Sequence, residues 1–327
     1  MRYVLEGSVQ RDQNRVRVNA QFIDAETGAH LWADRFEEDV ADLFKLQDQV
    51  VARLGNALNL ELVKAEAERA TRSKSPDAID LTMRGMALLE QTIARPSKDK
   101  MNAARALFEQ ALKIDPNYAD ALAGEALSYL NECLYWANPE TDYEAKVISQ
   151  ADRAIALTPD IMQAYLAKSV YLSISRRFEE SIRTADAGLA INPNYAELYG
   201  PRSTDKASLG QFEQAKSDAQ QAMRLSPHDP LIGVFHIHSG DAELGLGHFD
   251  AAIDEYHKAT DSGYRPFFVY ANLAAAYALE GKMDEAKTAL AEARRLNPKL
   301  TVKSLQSFAA NIPALFDGLR KAGLPEE

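Results

Sequence analysis

The chain has 327 residues, 46% of them hydrophobic and 26% charged, which is enough to bury a large core and lies outside disordered or fibrous compositions. Its formal net charge of −11 argues against a dedicated nucleic-acid surface, which would show as a basic stripe. One cysteine, Cys133, leaves no internal disulfide and suits a reducing compartment, so a cytoplasmic location is expected, with neither a membrane span of about 18 apolar residues nor a signal peptide in view.

From Tyr3 onward apolar residues alternate with polar ones, Tyr3, Leu5 and Val9, then Val16, Val18, Ala20 and Phe22, and a third strand carries Leu31, Trp32 and Phe36. Alternation of this kind is strand grammar, and Asp12-Gln13-Asn14 and Glu26-Thr27-Gly28 supply turns, so a three-stranded antiparallel meander is predicted. Asp39 can cap a following helix whose apolar positions Leu43, Leu46, Val50, Leu54 and Leu58 step by three and four, placing them on one face that can cover the sheet. Three strands and a helix make a marginal core.

The segments Tyr3-Val-Leu-Glu-Gly-Ser-Val9, Arg15-Val-Arg-Val18, Ile23-Asp-Ala and Thr27-Gly-Ala-His-Leu-Trp32 resemble the second half of the TolB amino-terminal-like domain. The resemblance implies that an earlier strand and helix of that family are missing, so Met1 is expected to mark a truncation or a start inside a longer ancestral gene. Residues 1–63 are assigned to this partial module. Residues 64–76, where Glu, Arg and Lys replace the apolar stripe, are assigned to a linker.

The rest of the chain is paced by proline. Pro159, Pro193 and Pro227 stand 34 residues apart, each after an alanine-rich helical run, and 34 is the length of the tetratricopeptide unit, two antiparallel helices and two turns. Ala215, Ala219 and Ala222 before Pro227, and Ala286, Leu290 and Ala293 before Pro298, occupy the close-packing positions of the second helix. Gly85 supplies the small residue of the first unit, and Ala104, Phe108, Ala111 and Pro116 its second helix and stop, with a longer turn expected over Ala94 to Lys100. Pro159 follows Pro116 by 43 residues, nine more than the period, so an insertion is expected near Trp136 to Tyr143. Gly200-Pro201 falls inside a first helix and predicts a kink or a late start near Arg202.

The fold class predicted is therefore mainly α: a right-handed superhelix of about six tetratricopeptide pairs over 77–298, preceded by the small α+β module. Residues 299–327 are expected to cap the last apolar face, with Pro313 starting a helix and Gly323 ending it. The ending Gly318-Leu-Arg-Lys-Ala-Gly-Leu-Pro-Glu326 resembles the carboxyl terminus of bacterial class III adenylate cyclases that carry the same half-domain and array.

No catalytic constellation emerges. The metal-binding aspartates of a cyclase are not found, and the resemblance implies that any such domain would precede Met1; no phosphate loop, His-Glu-x-x-His or Gly-x-Ser-x-Gly occurs. Five histidines, His228, His236, His238, His248 and His257, crowd together, but His236 and His238 stand about 200° apart around a helix and cannot share an ion, so no metal and no cofactor is assigned, and His236 is read as a core residue. Cys133 reads as a small buried or semi-buried group with no histidine in its unit to activate it.

Repeat arrays work through the concave face lined by their first helices. The repeat frame places Ala123, Leu127, Leu130, Leu166, Val170, Ser173, Thr204, Ala207, Ile237, His238, Asp241, Ala271, Asn272 and Ala275 inward. Chaperone-binding relatives of this repeat class are expected to carry Lys, Arg and Asn there to clamp a terminal carboxylate, and only Asn272 matches. An apolar groove suits an extended segment or an amphipathic helix of a partner protein instead. The expected function is thus a non-catalytic scaffold or regulatory segment binding a protein or peptide, with self-association through the exposed Tyr3–Val9 strand of the N-terminal module. The alternatives are the C-terminal regulatory part of a class III adenylate cyclase, and a repeat-bearing transcription regulator lacking its DNA-binding domain.

Overall fold

The computed structural model of the chain describes residues 3–25, 28–39, 50, 51, 53–55, 77–94, 96–227, 229, 231–306 and 310–327. At the N-terminus β1 (Tyr3–Asp12), β2 (Arg15–Asp24) and β3 (His30–Asp39) form an antiparallel meander in the order β1-β2-β3. Gln13 takes a left-handed φ of 49° in the first turn and Gly28 one of 72° in the second, the backbone state that tight hairpins require. The period-two pattern places Val16, Ala20 and Phe36 in one buried cluster, against which Val50 and Leu54 pack. Those two residues belong to the helix read from the sequence; its positions Leu43, Leu46 and Leu58 lie outside the described residues, as does the linker 64–76.

The second body is a stack of six antiparallel helix pairs among the described residues. They are α1 (Ala78–Ala94) with α2 (Lys98–Ile114), α3 (Ala119–Trp136) with α4 (Tyr143–Leu157), and α5 (Met162–Ile174) with α6 (Phe178–Ile191). Then come α7 (Tyr199–Ser208) with α8 (Phe212–Leu225), α9 (Ile232–Gly245) with α10 (Phe249–Asp261), and α11 (Phe267–Glu280) with α12 (Met283–Leu296). Each helix packs on its pair mate and on the next pair.

Proline sets the stops by steric means. A residue before proline is driven out of the helical region. Accordingly Asp115, Thr158, Asn192, Ser226 and Asn297, each preceding a proline, are C-caps with φ between −130° and −141°. Their N–H groups still bond a carbonyl four residues back, such as Asp115 to Ala111 and Asn297 to Ala293, so the helix ends with its last donor satisfied. Behind each stop, Ala104, Ala111, Ala215, Ala219, Ala222, Ala286 and Ala293 are wholly buried where the helices cross. Bulk on one helix is met by its absence on the next: a Cβ on Gly85 would lie 2.6 Å, and one on Gly124 2.4 Å, from the Phe108 ring.

The first unit corrects the expectation of a longer turn. α1 runs to Ala94 and α2 begins at Lys98, and the additional length goes into these two helices, each 17 residues long against 13 or 14 in most later pairs. Ser97 caps α2 through the Lys100 N–H, and helix extension satisfies backbone groups that a long loop would leave to water. In the second unit the extra residues lengthen α3 to 18 and form the loop 137–142, closed by the Asp142 cap on the Ala145 N–H. Pro201 is accommodated by a 3-10 turn, Ala196–Leu198, ahead of α7, which puts the proline in the first turn, where its missing N–H costs nothing.

The C-terminal residues pack back on the array. α13 (Val302–Gln306) follows the last pair, and α14 (Pro313–Ala322) lies on α11 and reaches α9, with Leu315, Phe316 and Leu319 buried and Gly323 ending it at φ 97°. Gly318 permits the approach, since a Cβ there would come within 2.5 Å of the Ala275 carbonyl oxygen.

Candidate functional site

A cavity of about 440 Å³ opens on the side lined by the first helices. Its walls come from α1 (Met86, Leu89), α3 (Leu127, Leu130, Leu134), α5 (Leu166, Val170), the start of the fourth unit (Tyr195, Glu197, Pro201, Thr204) and α9 (Val234, Phe235, His238). The first helix of a pair is apolar here because it faces neighbours on two sides and the cavity on the third. α11, whose first-helix core positions are almost all alanine or leucine, shows the same pattern farther along the stack.

Seven of the residues placed inward by the repeat frame line this cavity: Leu127, Leu130, Leu166, Val170, Ser173, Thr204 and His238. Ala123, Ala207, Ile237, Ala271 and Ala275 are sealed in packing between helices, and α14 lies against Ala275. Asp241 and Asn272 join in a network between the fifth and sixth units: Asn272 Nδ2 donates to Asp241 Oδ1 at 2.8 Å and Tyr256 Oη donates to the same oxygen at 2.7 Å. Burial pushes the Asp241 carboxyl up to about 7, against the two hydrogen bonds that favour its charged form. Ser173 on the wall donates to the buried Asp205 at 2.5 Å, and burial holds that carboxyl up at about 6.

Polar side chains also reach the cavity, among them Asn131, Gln163 and Thr204. Glu197 accepts a hydrogen bond from the Tyr195 hydroxyl at 3.0 Å, and burial, with Asp229 and Glu90 nearby, raises its carboxyl to about 7. Burial alone pushes His238 down to about 4, so its imidazole is neutral, and among the described residues its Nδ1 has no hydrogen-bond partner. Arg176 has a left-handed φ of 60° at a turn where Gly210, Gly247 and Gly281 serve the later units, and its Nη1 donates to the Gln306 carbonyl at 2.9 Å. Asn311 N–H donates to Ser208 Oγ at 3.2 Å, and Ala310 lines the cavity, so the C-terminal segment forms its distal wall.

The other histidines take separate partners. His236 is half-buried and pairs with Glu255 at 2.8 Å, a correction to the core position read from sequence, because Phe235 and Ile237 on either side take up the buried faces. His248 pairs with Glu243 and His257 with the Tyr277 hydroxyl; His228 lies outside the described residues. Among the described residues no group of three or more His, Cys, Asp or Glu side chains is placed to hold a metal ion. Cys133 is half-buried, and burial, with Glu132 beside it, pushes its thiol up, the opposite of nucleophilic activation.

Sequence reasoning missed Glu197, Arg176 and the return of the C-terminus. The one signal for Glu197 was the match between Pro193-Asn-Tyr-Ala-Glu197 and Pro116-Asn-Tyr-Ala-Asp120, which marks a fixed place at the start of a unit.

Stacked antiparallel helix pairs around an open concavity define a helical repeat protein. The repeat can be specified further: residues 97–118 and 269–300 match the family described as tetratricopeptide repeat, and the helix pairs between them have the same arrangement. Solved structures share the fold at low identity. A chain of an APC/C hetero-tetramer superposes with a TM-score of 0.62 at 18% identity, covering 86% of this chain and 49% of that one. PilW, a type IV pilus biogenesis factor, gives 0.52 at 18% identity, covering 70% and 97%. A curated relative, putative adenylate cyclase 3 of Rhizobium meliloti (strain 1021), is 36% identical over 184 residues, 55% of this chain. The match spans 31% of that protein's length. Among the described residues no helix is long and apolar enough to cross a membrane.

Proposed function

We propose that this chain is a non-catalytic interaction scaffold that seats a segment of a partner polypeptide in its concave groove. The observation that carries the reading is the apolar cavity of about 440 Å³ crossing the first helices of five consecutive units, a span that suits a peptide better than a compact small molecule. Selection of 18-residue peptides from a display library tests it. Enriched peptides should bind the native chain and lose at least tenfold in affinity to the Leu166→Asp and Val170→Asp variants; equal binding to all three proteins would refute it.

A second reading is favoured by the 36% identity to the putative adenylate cyclase: the chain serves as the regulatory C-terminal part of a larger signalling protein, with residues 1–63 a partial TolB-like module. Joining the catalytic region of that relative to this chain should make cyclase activity respond to groove peptides, and indifference to them would count against the regulatory role. Leu5 and Val9, half and more exposed on β1, support self-association through that strand. Light scattering on the full chain and on one starting at Ser75 checks this: a dimer only for the full chain is expected, and two monomers would refute it.

A further inference from the structure

We propose that the segment seated in the groove is an amphipathic helix carrying a lysine or arginine, and that Glu197 is the carboxylate that receives its cation. This rests on the groove reading above and adds the chemistry of the occupant.

The helical form is argued from the molecule itself. The next stretch of the same face is already occupied by a helix, α14, which turns Leu315, Phe316 and Leu319 inward and lays Gly318 against the Ala275 backbone. The face therefore matches the width of a helix with a small residue at the crossing and aliphatic or aromatic residues beside it. The cavity continues from this occupied stretch, with Ala310 on its wall.

The charge is argued from the wall. Its acidic and basic side chains are Glu90, Glu197, Arg176 and His238, beside the neutral tyrosines Tyr135, Tyr195 and Tyr264. Arg176 is engaged with the Gln306 carbonyl and lies over the Phe178 ring at 5.5 Å. His238 is held neutral by burial and offers no charge. Glu197 is met by the Tyr195 hydroxyl, and the neighbouring acids Asp229 and Glu90 repel its charge. A carboxylate buried in this wall with acids for neighbours is stabilised further by an arriving cation. A neutral helix would gain only the apolar contact, and an acidic one would meet repulsion, which adds discrimination.

Three synthetic 18-residue helical peptides test this, identical in a Leu/Ala face and differing at one flanking position as Lys, Gln or Glu. Binding is read by fluorescence anisotropy on the full chain and on its Glu197→Gln and Leu166→Asp variants, with thermal melting of each protein alongside. The Lys peptide should bind about tenfold or more tighter than the Gln peptide, the fold-change expected of one charge-assisted hydrogen bond. The Glu peptide should bind weakest. Glu197→Gln should bring the Lys peptide to the affinity of the Gln peptide while leaving the melting temperature unchanged or higher, which separates a lost contact from a lost fold. Equal affinities for all three peptides, each abolished by Leu166→Asp, would overturn the assignment of Glu197 and leave the groove reading standing. Binding that ignores Leu166→Asp would overturn both.

Discussion

Phe108 is the wedge on which the first two units meet, and replacing one glycine beside it gives a prediction whose sign can be worked out. The ring is wholly buried on α2, with a Cβ at Gly124 of α3 only 2.4 Å from its Cε1 and one at Gly85 of α1 only 2.6 Å away. Gly124→Ala gains about 1 kcal/mol of helix propensity but forces the ring to move, and overpacking of this kind costs about 1–3 kcal/mol. The ring cannot escape toward α1, because Gly85 confines it from the other side, so the cost should take the upper part of that range and leave Gly124→Ala destabilising by about 1–2 kcal/mol. In a Phe108→Ala background, itself about 3–5 kcal/mol less stable, the ring is gone and the same substitution should stabilise by about 1 kcal/mol. Urea unfolding of the four proteins of this cycle, followed by helical circular dichroism, measures the coupling, expected at about 2 kcal/mol or more. A stabilising Gly124→Ala in the native background, or an equal effect in both, would show that the ring is not wedged between the two glycines.

The other expectations are shorter. Gly318→Val places a branched side chain against the Ala275 backbone, which cannot yield as a side chain tip can, so it should loosen α14 and lower stability by about 1–3 kcal/mol, read by hydrogen exchange at Leu315 and Leu319. Asp241 titrates near 7 in the folded chain and about 4 in the unfolded one, so between those values the native state holds the extra proton and stability must fall as pH rises. Asp241→Asn keeps the acceptor for Tyr256 and Asn272 without that titration; its melting temperature relative to the native chain should climb from pH 4 to pH 7, and a constant difference would contradict the assignment. Glu197 must be ionised to receive a cation, so binding of the Lys peptide should strengthen from pH 6 to pH 8, and Glu197→Gln should lose this trend.

The repeat was legible because its punctuation is covalent. A proline disfavours helix at the residue before it by a local steric clash, so Pro116, Pro159, Pro193, Pro227 and Pro298 gave the unit ends directly, and the alanines behind them gave the crossing points. The strands were legible for a similar reason, period two being forced by the pleat. The length of the first turn was not. Residues added between two helices can extend the helices or the loop, and here Ser97 settled the matter with a cap that local composition did not single out.

The groove was only half legible, and the reason is geometric. The repeat frame gives the direction in which a first-helix side chain leaves its own unit, but whether it then meets a neighbouring unit or open space depends on the stack and on what returns across it. Ala271 and Ala275 point where the frame puts them and are covered, α14 lying on their helix; contacts such as Asn311 to Ser208 and Arg176 to Gln306 join residues 103 and 130 positions apart and leave no local trace. Glu197 was hidden differently. An acid at a helix start ordinarily complements the helix dipole, as Asp120 does by position in its own unit. What separates the two is that Glu197 opens into the cavity, and that difference arises from the 3-10 turn at Ala196–Leu198 which Pro201 imposes on the start of α7. The proline that looked like a local irregularity thus sets the position of the wall carboxylate that meets the Tyr195 hydroxyl.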